Sequence, residues 1–167
     1  IGLSVSTSYL LLTLILKWVS FQKFEEGLQN QQIEYVEMDT KPSPLNAILW
    51  SSLIETDKGF LTAYYSLLDK EEVTYSKEFL KNHHLLEPYL EQKVIKQLID
   101  ISAGWYRIEE RNGKLLFWDL RFGQMGMDVD TASFLWYYEL NIDKNGIVSA
   151  VKRQPEIKNM SGIFSSL

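Results

Sequence analysis

Asp119 and Arg121 stand two positions apart inside the apolar run Leu115-Leu116-Phe117-Trp118-Asp119-Leu120-Arg121-Phe122. On a strand that spacing puts both side chains on one face, with Leu116, Trp118, Leu120 and Phe122 on the other. A carboxylate and a guanidinium on an apolar strand can do two kinds of work. They can pair, because a buried charge is costly without a partner. Alternatively, the guanidinium clamps an anionic group while the carboxylate serves as acid or base. Two other polar groups sit in similar surroundings: Asp69 ends the run Tyr64-Tyr65-Ser66-Leu67-Leu68, and Asn46 opens a strand just after Pro44. In one reading Asn46, Asp69, Asp119 and Arg121 satisfy each other and the local backbone. In the other, Asn46, Trp50, Tyr64, Asp69, Asp119 and Arg121 converge on a cleft. Asp69 and Asp119 are then metal ligands or acid and base, Arg121 orients the substrate, and Asn46, Trp50 and Tyr64 bind it.

The commoner catalytic patterns are missing. The two histidines, His83 and His84, are adjacent and so point apart, unlike the paired ligands of a helical zinc motif; a surface loop suits them. With no cysteine, thiol nucleophiles, thiolate metal sites and disulfides are excluded. No phosphate-cradling glycine loop, nucleophile elbow or calcium loop occurs. The net charge of −5, without a run of Lys or Arg, argues against duplex nucleic acid as a partner. Aromatic residues make up 13% of the 167 positions, which suits aromatic strands and a ring-lined groove.

The elements that must position these groups follow from periodicity. Ile33 to Met38 alternates as an edge strand, and Lys41-Pro42-Ser43-Pro44 imposes an extended entry to a central strand over 46–55. Thr56-Asp57-Lys58-Gly59 has turn chemistry, so the next strand, 60–68, pairs antiparallel with it. Residues 69–82 read as a charged loop. Leu86, Leu90, Val94, Leu98 and Ile101 form the apolar stripe of an amphipathic helix, with Pro88 in its first turn and Gly104 at its exit. Strands over 105–110 and 114–122 flank Asn112-Gly113, and strands over 134–142 and 147–152 flank Asp143-Lys144-Asn145-Gly146.

The chain opens inside an apolar stretch whose first charge is Lys17. As a helix, residues 1–16 rise about 24 Å, less than the roughly 30 Å of a hydrocarbon core. No basic region precedes the stretch, which argues against a signal peptide. Two readings stay open: a core helix packed across a sheet, or continuity with a membrane segment. A helix over 1–28, stopped at Gly27 and the polar run after it, satisfies either.

Three blocks then carry a resemblance: Pro42-Ser43-Pro44-Leu45-Asn46-Ala47-Ile48-Leu49-Trp50, Tyr64-Tyr65-Ser66-Leu67-Leu68-Asp69 and Asp119-Leu120-Arg121-Phe122-Gly123. In order and approximate spacing, the chain from Tyr9 to Tyr138 resembles the C-terminal soluble part of the bacterial membrane-bound metal-dependent hydrolases of the inner membrane. The resemblance implies a multi-pass membrane region before this domain, which would account for the apolar start. It also implies a divalent metal for the full-length protein, held by histidines of that membrane region. No such histidine motif occurs here, so no metal ligand and no cofactor is carried over. Pro44, Asn46, Trp50, Tyr65, Asp69, Asp119, Arg121 and Gly123 match family positions without an assigned role, and Tyr65 thereby joins Asn46, Trp50 and Tyr64 as a substrate-binding candidate.

The resulting expectation is one α+β domain over 1–154 and a flexible tail over 155–167. Its curved antiparallel sheet has about seven strands, with the long N-terminal helix and the second amphipathic helix packed on one face. Its function is that of a soluble accessory or substrate-recognition domain of the hydrolase, on the cytoplasmic side, acting on a small molecule of unassigned identity. A domain hydrolytic in itself and a lipid- or envelope-partner-binding module are the rivals.

Overall fold

The computed structural model of the protein describes residues 2–43, 48–68, 72–125 and 133–154. Two α-helices, one 3₁₀ helix and nine strands are present among them. The α+β class and the antiparallel pairing match expectation, but a single sheet of seven strands does not form. Instead there are two antiparallel sheets, one of five strands and one of four. The chain also divides into two compact units, Ile1–Lys81 in the first and Asn82–Met125 with the chain from Ser133 in the second. The tail expected from residue 155 lies outside the described residues.

The first unit opens with α1, Gly2–Asn30. Only its C-terminal part is buried, through Ser20, Phe24, Gly27 and Leu28. Of the two readings left open, a core helix packed across a sheet describes only this end: Leu3, Val5, Tyr9, Leu10, Leu11, Leu12, Leu14, Ile15 and Trp18 are all exposed. Strands β1 (Glu37–Pro42), β2 (Leu49–Glu55) and β3 (Gly59–Ser66) follow, then the two-residue strands β4 (Thr74–Tyr75) and β5 (Phe79–Leu80). The order is β1-β2-β3-β4, with β5 also on β3.

Burial alternates along β2, with Trp50, Ser52 and Ile54 buried and their neighbours half-buried, as a central strand requires. Trp50 and Ile54 meet Leu61 and Ala63 of β3, Val73, and Phe24 and Leu28 of α1 in one core. At about 1.5 to 3 kcal/mol for each fully buried large apolar side chain, the few residues at the end of α1 are enough to fix it on the sheet. The edge strand begins later than Ile33 because Ile33 and Tyr35 pack against the helix core and the Ile33 N–H closes on the Leu28 carbonyl at 2.9 Å. The presumed loop at 69–82 holds β4 and β5, which are too short to show any alternation.

The predicted β2–β3 turn forms around Thr56, whose Oγ1 accepts the Gly59 N–H at 2.9 Å and also pairs with the Glu78 carboxylate. Gly59 is there for space. A Cβ would come within 2.5 Å of the Phe79 carbonyl oxygen, so β3 and β5 can approach only without one. Gly59→Ala should destabilise the protein by about 1 to 3 kcal/mol, the range for forced overpacking, and expose the Gly59–Leu80 pairing to hydrogen exchange. Unchanged exchange there would contradict the close approach.

Tyr75 ties β4 to the helix, its hydroxyl donating to the Phe24 carbonyl at 2.6 Å. Burial pushes its phenol well above the usual tyrosine range. The neutral phenol is thus favoured in the folded state. Its stabilisation is complete below the unfolded-chain value near 10 and is lost progressively as pH rises above it. Tyr75→Phe should cost about 1 kcal/mol at neutral pH and make the alkaline decline of the melting temperature shallower. Identical alkaline profiles would contradict the assignment.

The second unit begins with a 3₁₀ helix, His83–Tyr89, followed by α2, Lys93–Ser102. Strands β6 (Tyr106–Arg111), β7 (Lys114–Met125), β8 (Ser133–Ile142) and β9 (Val148–Arg153) form a meander in sequence order. The amphipathic helix is shorter than its apolar stripe suggests. Gln92, in extended conformation, separates the 3₁₀ turns containing Pro88 from α2. The phase restarts there, so Ile95, Leu98 and Ser102 are buried while Leu90 and Ile101 are exposed. The core joins Leu86, Ile95 and Leu98 to Tyr106, Ile108, Phe117, Leu140 and Val148. Both predicted hairpins form. Asn112 and Gly113 take positive φ of 53° and 71° between Arg111 and Lys114, as a two-residue turn demands. Asp143 Oδ1 accepts the N–H groups of Asn145 and Ile147, each at 2.8 Å, within the second turn.

Candidate functional site

The Asp119 and Arg121 pair forms where the β7–β8 ladder breaks. Pairing is regular from Leu115–Leu140 to Asp119–Trp136 and resumes at Gln124–Phe134, so β7 spends Leu120 to Gly123 where β8 spends only Leu135. The surplus is absorbed as a bulge, with Gly123 at φ 75°, a conformation that disfavours any side chain. Period-two alternation fails here: Leu120 is buried while Phe122 is 55% exposed.

Asp119 organises the bulge. Its Oδ1 accepts the Arg121 backbone N–H at 3.2 Å and Nε at 3.0 Å, and its Oδ2 accepts Nη2 at 2.7 Å. The carboxylate is nearly inaccessible, at 3% exposure, while the Arg121 side chain is 30% exposed and lies over the Phe122 ring. The hydrogen bond to Asp119 raises the Arg121 pKa further above its already high ordinary value. This is the ion-paired arrangement of the first reading, with both carboxylate oxygens engaged by Arg121. A proton-transfer role would need one of those oxygens to be released first.

The other candidates belong to the first unit, or lie outside the described residues, as do Asn46, Asp69 and Pro44. Trp50 is 3% exposed within the core under α1. Tyr65 is half-buried beside it, edge-on to the Phe24 ring at a centroid distance of 6.1 Å. Tyr64 faces the other side of the sheet, opposite Ser51 and Thr74, and burial raises its phenol pKa. Trp50 and Tyr65 thus work as packing groups against the helix, and Tyr64 does not share their face.

Of the two histidines, His84 is exposed as expected, but His83 is not a loop residue. Its ring stacks on Tyr106 at 4.0 Å, with Nε2 2.9 Å from the Tyr106 carbonyl oxygen, and Tyr106 stacks in turn on Phe117 at 4.6 Å. Among the described residues, no group of three His, Asp or Glu could hold a metal ion. The donor set described here does not fit the divalent metal that the resemblance implies for the full-length protein.

Sequence inspection missed the exposed apolar pair Ile48 and Leu68, which it had placed on strand faces. They lie just outside β2 and β3, at 44% and 76% exposure, with the Leu67 N–H bonded to the Ile48 carbonyl at 2.9 Å. The nearby prolines and Asp69-Lys70 were the signal that the strands stop there. Comparison with family models, curated proteins and solved structures finds no match to this chain.

Proposed function

We propose that this chain is the accessory or substrate-recognition part of a bacterial membrane-bound metal-dependent hydrolase, tethered to the inner membrane through α1. The observation that carries this reading is the divided character of that helix. It is long and apolar enough to cross a membrane or serve as a signal sequence, and none of the residues in the apolar stretch that qualifies it is fully buried. Its last turns, by contrast, are locked into the first unit's core. Apolar side chains on every side suit lipid better than a one-sided protein groove. Lys17 and Lys23 follow the apolar stretch, which favours a cytoplasmic position for what comes after.

The three sequence blocks support the family. The closed Asp119 and Arg121 pair supports a domain that recognises rather than cleaves, with the metal and the reaction assigned to a preceding membrane region. The small-molecule substrate is unassigned. Liposome flotation tests the tether. The full chain should float with vesicles, and Leu11→Glu with Ile15→Glu should leave it folded and in the dense fraction. A wild-type chain that stays in the dense fraction would contradict the reading.

A further inference from the structure

The dipeptide Asn-Gly occurs twice in the chain, as Asn112-Gly113 and Asn145-Gly146, each time in an exposed hairpin turn of the second unit. Of all settings for an asparagine, this is the one most open to chemical change. The backbone nitrogen of the glycine attacks the asparagine Cγ, and no side chain on the glycine hinders the approach. A new C–N bond closes a succinimide ring, the bond from Cγ to the amide nitrogen breaks, and ammonia leaves with the glycine N–H proton. One water then opens the ring at either carbonyl, giving aspartate or isoaspartate. The attack needs an unengaged glycine N–H and a backbone able to bring that nitrogen to Cγ. The two sites share dipeptide and exposure but differ in both requirements.

At Asn145 the turn is tied down. The Gly146 N–H donates to the Asp143 carbonyl at 3.0 Å, and the Asp143 N–H to the Ile147 carbonyl at 3.0 Å. Asp143 Oδ1 holds the N–H groups of Asn145 and Ile147. Gln92 adds a clamp from outside the turn: its Nε2 donates to the Gly146 carbonyl at 2.6 Å, and its Oε1 accepts the Val148 N–H at 2.7 Å. At Asn112, by contrast, neither the side-chain amide nor the Gly113 N–H makes a hydrogen bond among the described residues. That turn is held by the Arg111–Lys114 pairing that it closes, and an exposed hairpin end opens at little cost. We propose that Asn112 is a site of spontaneous modification, converting through the succinimide to aspartate and isoaspartate, and that the Asp143 and Gln92 bonds protect Asn145 from the same reaction. The two products differ in consequence. Aspartate keeps the turn, which Asp-Gly also suits, and adds a negative charge between Arg111 and Lys114. Isoaspartate routes the main chain through the former side chain, and a two-residue turn has no room for the added methylene. The end of the β6–β7 hairpin then loses its register beside the Arg111–Glu109 and Lys114–Glu139 ion pairs.

The test is prolonged incubation of the full chain in detergent solution at neutral pH, with the same chain unfolded in urea beside it. Peptides spanning positions 112 and 145 are followed by mass, and isoaspartate by enzymatic methylation of its free α-carboxylate. In the folded protein Asn112 should convert at least about tenfold faster than Asn145, because reaction at Asn145 must first give up two or more hydrogen bonds. In urea the two rates should become similar. Gln92→Ala should raise the rate at Asn145 severalfold and leave that at Asn112 unchanged. Equal rates in the folded wild-type protein would overturn the proposal. So would an Asn112 as inert as Asn145 when both react in urea, since the turn conformation would then protect by itself. An Asn145 rate unmoved in folded Gln92→Ala would overturn the protection assigned to that clamp.

Discussion

Arg121→Ala should lower the stability of the second unit by about 3 kcal/mol, read as a reduced denaturant midpoint with an unchanged slope. Removing the side chain leaves Asp119, at 3% side-chain exposure, with only the Arg121 backbone N–H among its present partners. Breaking a buried pair costs about 3 to 5 kcal/mol, because the remaining charge keeps its desolvation penalty. The low end applies because the Arg121 side chain is 30% exposed, so water can enter the space it vacates. Adding Asp119→Asn to Arg121→Ala removes the stranded charge and should recover part of the loss, giving a coupling energy of the kind expected for residues in direct contact. A midpoint unmoved by Arg121→Ala would show that the pair does not hold the bulge.

Phe24→Ala should be at least as costly, about 3 to 5 kcal/mol, since the ring is fully buried and supports Tyr65 and the core around Trp50 and Ile54. The same truncation at Leu11, which is 56% exposed, should change stability in detergent solution by less than about 0.5 kcal/mol. The contrast divides α1 into a structural end and a lipid-facing end. Equal effects at both positions would mean that the helix acts as one element.

Where local chemistry decides a structure, the sequence was readable. Asn112-Gly113, Asp143 to Gly146 and Thr56 to Gly59 fix their turns through positive φ or side chain to backbone bonds, and all three hairpins form as read. The division of strands between two sheets was not readable, because antiparallel neighbours in sequence look the same whether or not the next hairpin joins their sheet. The bulge at Leu120 to Gly123 was hidden because alternation was carried on to Phe122, two residues into a bulge that Gly123, at positive φ, completes. The spacing of Asp119 and Arg121 left pairing and a substrate clamp both open, and the bidentate ion pair is seen only in the structure. For Trp50 and Tyr65 the residue types were visible but the covering helix was not, so rings suited to a ligand groove turned out to pack under α1.

The central claim, that this chain recognises or supports rather than carries out metal-dependent hydrolysis, is tested most directly by metal content and titration of the purified full chain. The measurement would use zinc, manganese and magnesium. The account predicts no stoichiometric uptake by the wild-type protein. One-to-one binding that is lost in folded Asp69→Asn would contradict it and place a metal centre within this chain.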